Sequence, residues 1–139
     1  MRKIGFTIVS ILVLTLCVSV EASAKKKYPV IKFETTTIDM GVFSEEDPVR
    51  TVTFKFHNVG KADLVINYVH PSCGCTEVEY PKKPIPKGGS GEIVVTYDGT
   101  NKLPGKVSKH VQVFTNCKDD LVRIFIKGEM TPMPKQDLD

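Results

Sequence analysis

Three cysteines carry the most chemistry in this chain: Cys73 and Cys75, either side of Gly74 in the run HPSCGCTEVEY (residues 70–80), and Cys117, well downstream. A bridge from Cys117 to either of the pair would close a loop of roughly 45 residues and stabilise a fold by about 4 kcal/mol through chain entropy. It requires Cα atoms within about 7 Å, so both segments must sit at one end of the molecule. A bridge inside Cys73-Gly74-Cys75 closes a very small ring and should be easily reduced, as a working redox pair is. In sequence, no helix N-terminus or fixed cation stands nearby to lower a thiol pKa, and His70 and Lys82 are the available neighbours. The third chemistry is metal binding. His70, Cys73 and Cys75 offer one imidazole and two soft thiolates, and Cys117 would complete four ligands for zinc or copper(I) if the loops meet. The spacing matches no standard zinc knuckle, and free cysteines often act as small packed hydrophobes. The Cys117 bridge is the leading expectation, and either bridge leaves one thiol over.

Disulfides need an oxidising compartment, and the N-terminus points to one. Met1-Arg2-Lys3 is basic, Ile4 to Val20 is uncharged and largely apolar, and Ala22-x-Ala24 fits a signal-peptidase site. Cleavage after Ala24 is expected, giving a protein of the periplasm or cell envelope. Leu14-Thr15-Leu16-Cys17 resembles a lipobox, but Leu16 stands where a small residue is needed, so lipid anchoring at Cys17 is the lesser reading. Removing residues 1–24 leaves 115 residues, enough for one domain around a single core. It also leaves 17 basic and 15 acidic side chains, a net charge of +2. That balance argues against nucleic acid as a partner, and no transmembrane segment remains after cleavage.

Other polar clusters read as structural. Gly88-Gly89-Ser90-Gly91 opens a strand, without the helix dipole used to bind phosphate. Glu77 and Glu79 share one face of a strand expected at a sheet edge, where charge discourages pairing with other chains. Glu45-Glu46-Asp47 and Asp119-Asp120 lack the spacing of a calcium loop. His57 and His110 fall on the polar faces of their strands. No Ser-His-Asp or Cys-His-Asn arrangement emerges, so no catalytic residue is assigned and the protein is expected not to be an enzyme. No cofactor is implied.

The elements that must position the cysteines are strands. Tyr28 to Phe33 and Thr37 to Phe43 form a first, interrupted edge, followed by Arg50 to His57, in which Val52, Phe54 and Phe56 face one way. Leu64 to Val69, apolar on both faces except at Asn67, reads as a central strand ended by Pro71. A short strand from Thr76 to Tyr80 precedes Pro81-Lys82-Lys83-Pro84-Ile85-Pro86, an extended crossing suited to a change of sheet. Ser90 to Tyr97 points Ile93, Val95 and Tyr97 inward. Val107 to Thr115 and Leu121 to Lys127 form a terminal hairpin around residues 116–120. With no helical periodicity, this predicts an all-β immunoglobulin-like β-sandwich of about seven strands in two antiparallel sheets. The expected organisation is a signal peptide over 1–24, the sandwich over 25–130 and a frayed tail over 131–139. The chain has no tryptophan, which excludes an antibody-like core.

The order of five motifs carries a family resemblance: F-x-F-x-N-x-G (Phe54 to Gly60), L-x-I (Leu64 to Ile66), S-C-G-C-T (Ser72, Cys73, Gly74, Cys75, Thr76), P-I-P-K-G (Pro84 to Gly88) and G-x-x-x-K (Gly105 to Lys109). From about Ile31 to Gly128 the chain resembles the bacterial family known only as domain of unknown function 1573. The resemblance implies an immunoglobulin-like sandwich, similar to the major sperm protein and to domains of ciliary proteins, in exported proteins of unsettled role. Cys117 departs from the pattern, since a polar residue is expected in that turn. The functional expectation is an exported, non-enzymatic module that binds another protein or an envelope component through a sheet edge or its loop end. The alternative is a thiol redox or metal-handling module centred on Cys73 and Cys75.

Overall fold

The computed structural model describes residues 24–134, so nearly all of the proposed signal peptide and the last five residues of the tail lie outside the described residues. Eight strands follow one another along the chain: β1 (Ile31–Phe33), β2 (Thr37–Ser44), β3 (Val49–Asn58), β4 (Ile66–Pro71), β5 (Thr76–Glu79), β6 (Ser90–Asp98), β7 (Gly105–Thr115) and β8 (Leu121–Thr131). They form two four-stranded sheets, ordered β1-β3-β6-β5 and β2-β8-β7-β4, which pack face to face as an immunoglobulin-like sandwich. Thr131, placed in the tail by the expected boundaries, belongs to β8 and pairs with Ser44.

Alternation builds the core. Phe54 and Phe56 on β3 and Ile93, Val95 and Tyr97 on β6 meet Val111 and Val113 on β7 and Ile124, Ile126 and Met130 on β8, all buried. Every pairing is antiparallel except β2 with β8. Only Glu34, Thr35 and Thr36 separate β1 from β2, too few to turn back and cross between sheets. The chain therefore keeps its direction, edging one sheet with β1 and the other with β2.

Two expectations are corrected. The run from Leu64 to Val69 is not central: β4 is an edge strand, bonded only to β7. Its apolar character on both faces has a local cause, because the register slips between Ile66 and Tyr68, leaving Asn67 as the extra residue and turning Tyr68 outward onto Phe114. The change of sheet is also not made by the proline-rich segment, since β5 and β6 are neighbours in one sheet. The chain crosses at Ser72-Cys73-Gly74-Cys75, between β4 and β5. The proline segment instead brings Ile85 against Leu64, with both backbone N–H groups donating at 2.8 Å, and closes one end of the core.

At that end lies Asn58, fully buried, the polar residue of the F-x-F-x-N-x-G motif. Its side-chain amide donates to the carbonyls of Ala62 (2.8 Å) and Ile85 (3.0 Å). Its oxygen accepts from Gly60 N–H (3.1 Å) and Val30 N–H (3.3 Å). Gly60 is fixed by contact, since a Cβ there would stand 2.3 Å from the backbone nitrogen of Val30. Replacing Asn58 with Ala removes four hydrogen bonds and orphans three backbone groups at once, Val30 N–H, Gly60 N–H and Ala62 O, while Ile85 O keeps Leu64 N–H. Asn58→Ala is therefore expected to lower unfolding stability by about 3 kcal/mol, against less than about 0.5 kcal/mol for Thr53→Ala on the exposed face, measured by urea denaturation.

Candidate functional site

The crossing from β4 to β5 is held by the backbone on both sides. Ser72 N–H donates to His110 O on β7 (2.9 Å) and Ser72 Oγ accepts from His110 N–H (3.1 Å). On the other sheet, Asp98 N–H at the end of β6 donates to Cys75 O (2.9 Å), and Thr76 N–H closes the turn onto Cys73 O (3.2 Å). This geometry places the two sulfurs side by side, and Cys73 and Cys75 are joined as a disulfide with Cα atoms 5.2 Å apart. Cys73 Sγ also accepts from Cys75 N–H at 3.1 Å. Both residues are half-buried, with Cys75 packed against the core. Gly74 is exposed, has no left-handed φ, and a Cβ added to it would meet nothing within 4 Å. Its lack of a side chain is not demanded by the turn, and it leaves the bridge uncovered.

The leading expectation, a bridge to Cys117, is not met. Cys117 is a free thiol in the β7–β8 turn, half-buried among Tyr28, Pro29, Val30 and Val122. Along β7, Thr115 pairs with Ile66 at the start of β4, whereas Val111 pairs with Pro71 at its end. From His110 to Cys117 the strand direction carries the chain about 20 Å, roughly three times what a disulfide spans. The four proposed metal ligands are dispersed for the same reason. His70 points to the outer face opposite Gln112, Cys117 lies at the far end, and no group of three or more ligating side chains gathers among the described residues.

Two cavities flank the bridge. One, of about 340 Å3, is lined by Cys73, Cys75, Tyr97, Lys102, Lys106 and Lys109 among others. The second, of about 580 Å3, adds Glu77, Asp98 and Thr100 to the Cys73-Gly74-Cys75 turn. Hydrogen bonds from the Thr100 hydroxyl and backbone hold the Asp98 carboxyl below its usual pKa, while burial, helped by the Asp98 charge, pushes the Tyr97 phenol up. The lysines were missed in the sequence, where Lys82 seemed the available cation. Lys82 instead lies 3.2 Å over the Tyr80 ring. The usable signal was Lys109, which pairs with buried Ile126 and shares the inward phase of Val107 and Val111, a costly place for a charge unless a cavity receives it.

The remaining polar candidates stay apart. His57 bonds Ser90 Oγ (2.7 Å) and Glu34 (3.1 Å) on the exposed face of the first sheet, and Glu77 and Glu79 lie exposed on edge strand β5. On the second sheet's outer face, Tyr68 stacks on Phe114 at 4.2 Å between centroids, next to Leu121, and His110 tilts against Phe125 at 6.1 Å.

The family described as a protein of unknown function, DUF1573, matches residues 31–130. The chain belongs to it. A crystal structure of a protein of unknown function from Porphyromonas gingivalis W83 is similar with a TM-score of 0.62 at 20% identity, covering 73% of this chain and 46% of that one. This chain thus spans about half of that protein. The PapD-like domain 7 of human CEP192 is similar with a TM-score of 0.55 at 9% identity over 75% of this chain and 87% of that one. The Pseudomonas aeruginosa CupB2 chaperone gives 0.50 at 12% identity over 78% and 59%. At such identities the likeness is one of fold. No curated protein sequence matches the chain.

In a chain carrying Cys17→Ser, denatured without reductant, thiol titration is expected to find one free thiol, Cys117, and three after reduction. A peptide map joining Cys117 to Cys73 or Cys75 would contradict the structure.

Proposed function

We propose that this protein is an exported, non-enzymatic binding module that holds a protein partner on the outer face of the β2-β8-β7-β4 sheet. The observation that carries the reading is the asymmetry of the two outer faces. The β1-β3-β6-β5 sheet turns Thr51, Thr53, Lys55 and His57 to solvent from β3 and Glu77 and Glu79 from β5. The other sheet presents Tyr68, Phe114 and Leu121 in adjacent cross-strand positions, with Phe125 further along the same face beyond the Gln112–Arg123 pair; Tyr68 is 52% exposed and the other three are half-buried. Aromatic side chains offer large contact area at low entropic cost, which is why Tyr anchors so many interfaces.

Strand addition at an edge is the weaker mode. β1 has three residues, β2 carries a bulge with Gly41 at φ +76°, β4 carries the slip at Asn67, and β5 presents two glutamates. Each device discourages pairing with another chain. Export rests on the leader pattern of residues 1–24, which supports placement in the periplasm or envelope. The non-enzymatic reading rests on the placement of the polar groups: the linked set Ser90–His57–Glu34 lies on the exposed outer face of the first sheet, in contact with solvent, and His70 and His110 pair with no carboxylate among the described residues. The dispersal of His70 and Cys117 from the cysteine pair removes the geometric support for a four-ligand metal site.

The test is affinity capture of envelope proteins on the immobilised protein, in parallel with Tyr68→Ser/Phe114→Ser and with Thr53→Ala/Lys55→Ala on the opposite face. The expected outcome is a protein retained by the wild type and the opposite-face variant and lost, by at least about tenfold, with the aromatic variant. Retention unaffected by Tyr68 and Phe114, or no retained protein at all, would sink the reading. Thermal melts of both variants check that the sandwich persists.

A further inference from the structure

We propose that the Cys73–Cys75 disulfide is a thiol–disulfide exchange site for small, carboxylate-bearing thiols, entered through the cavity lined by Lys102, Lys106 and Lys109. A bridge between residues two apart removes almost no loop entropy from the unfolded chain, so it adds little as a staple. The corner it spans is already hung on both sheets by backbone hydrogen bonds from Ser72 and Asp98 that do not pass through sulfur. What the bridge has is access: both cysteines line two open cavities, and Gly74 puts no side chain over them. The basic cavity, of about 340 Å3, lies in the size range of small-ligand sites. Three ammonium groups at its wall attract carboxylates and favour the thiolate forms that exchange requires.

The residues divide the work. An incoming thiolate attacks Cys73 Sγ, the sulfur–sulfur bond breaks, and its electron pair leaves on Cys75 Sγ, which takes up a proton as it becomes a thiol. A second thiolate attacks the substrate sulfur of the mixed disulfide and releases the oxidised substrate with Cys73 as a thiolate. Two electrons pass from two thiols to the bridge. Cys73 suits the exchanging role because Cys75 N–H donates to its sulfur at 3.1 Å and stabilises the leaving thiolate. Cys75, packed against the core, suits the role of the sulfur that leaves in the first step and is held as a thiol.

The experiment uses the full oxidised protein carrying Cys17→Ser and Cys117→Ser. Its rates of reduction by glutathione, net negative, and by cysteamine, positive, are each normalised to the rate of the same thiol with a neutral small disulfide. Glutathione should be preferred by about tenfold at low salt. The preference should fall towards unity at high salt and in Lys102→Gln/Lys106→Gln/Lys109→Gln. Should Lys109→Gln disturb folding, Lys102→Gln/Lys106→Gln, both exposed, reads the same effect. Offered glutathione disulfide, reduced Cys75→Ser should hold a mixed disulfide on Cys73, whereas Cys73→Ser should react at least about tenfold more slowly. Equal normalised rates in the wild type, a preference that survives loss of the lysines, or equal trapping on Cys75 would overturn the proposal.

Discussion

A buried carboxamide is an expensive group to place in a β-sandwich core, because each unmet hydrogen bond costs about as much as a small domain can spare. Asn58 meets all of its requirements by recruiting backbone from three segments that have no regular pairing of their own: the approach to β1, the turn after β3 and the proline-rich segment before β6. The position of β3 follows from it. Ile31 pairs with Asn58 at one margin of β3, and the continuous register from His57–Ser90 to Val49–Asp98 carries that alignment along β6. A one-residue slip would turn Phe54 and Phe56 out of the core and leave the amide unsatisfied, so polar and apolar requirements select the same register.

The two ends of the sandwich are therefore unlike. At the Asn58 end, Leu64 and Ile85 close the core, and Cys117 lies beside the chain entering β1, far from Cys73 and Cys75. At the opposite end, β6 finishes at Tyr97 and Asp98, β4 has stopped at Pro71, and β7 runs on past it as Lys109, Lys106 and Gly105 without a β4 neighbour. That missing stretch of edge leaves a gap between the sheets, into which the Ser72–Cys75 crossing fits and around which the lysines stand. The order of strands alone thus puts polar, accessible chemistry at one end and a sealed core at the other.

The strands were legible because alternation reports burial directly, as in Phe54 and Phe56 or Ile93, Val95 and Tyr97. Edge-or-centre placement was not legible for β4. An extra residue at Asn67 shifts the phase and makes a one-sided edge strand look apolar on both faces. The sheet change was misread for a related reason. Proline marks where pairing stops, but Pro84 and Pro86 flank an Ile85 that pairs with Leu64, while the true crossing is made by four residues without proline. The pairing of cysteines could not be read at all, since it depends on which end of the sandwich each turn occupies. Chain distance favoured Cys117 through loop entropy, whereas about 20 Å of strand forbids it.

The corner and the aromatic face are neighbours along one strand, yet the geometry keeps them separate. Tyr68 is held by stacking on Phe114 and by the β4–β7 ladder, and the far end of β4 is fixed by the paired Ser72 and His110 bonds. None of these contacts involves sulfur. Opening the Cys73–Cys75 bond frees the two side chains without releasing the backbone that carries them, because Asp98 N–H still holds Cys75 O. The contacts that shape the outer sheet face are therefore independent of the bridge at the corner.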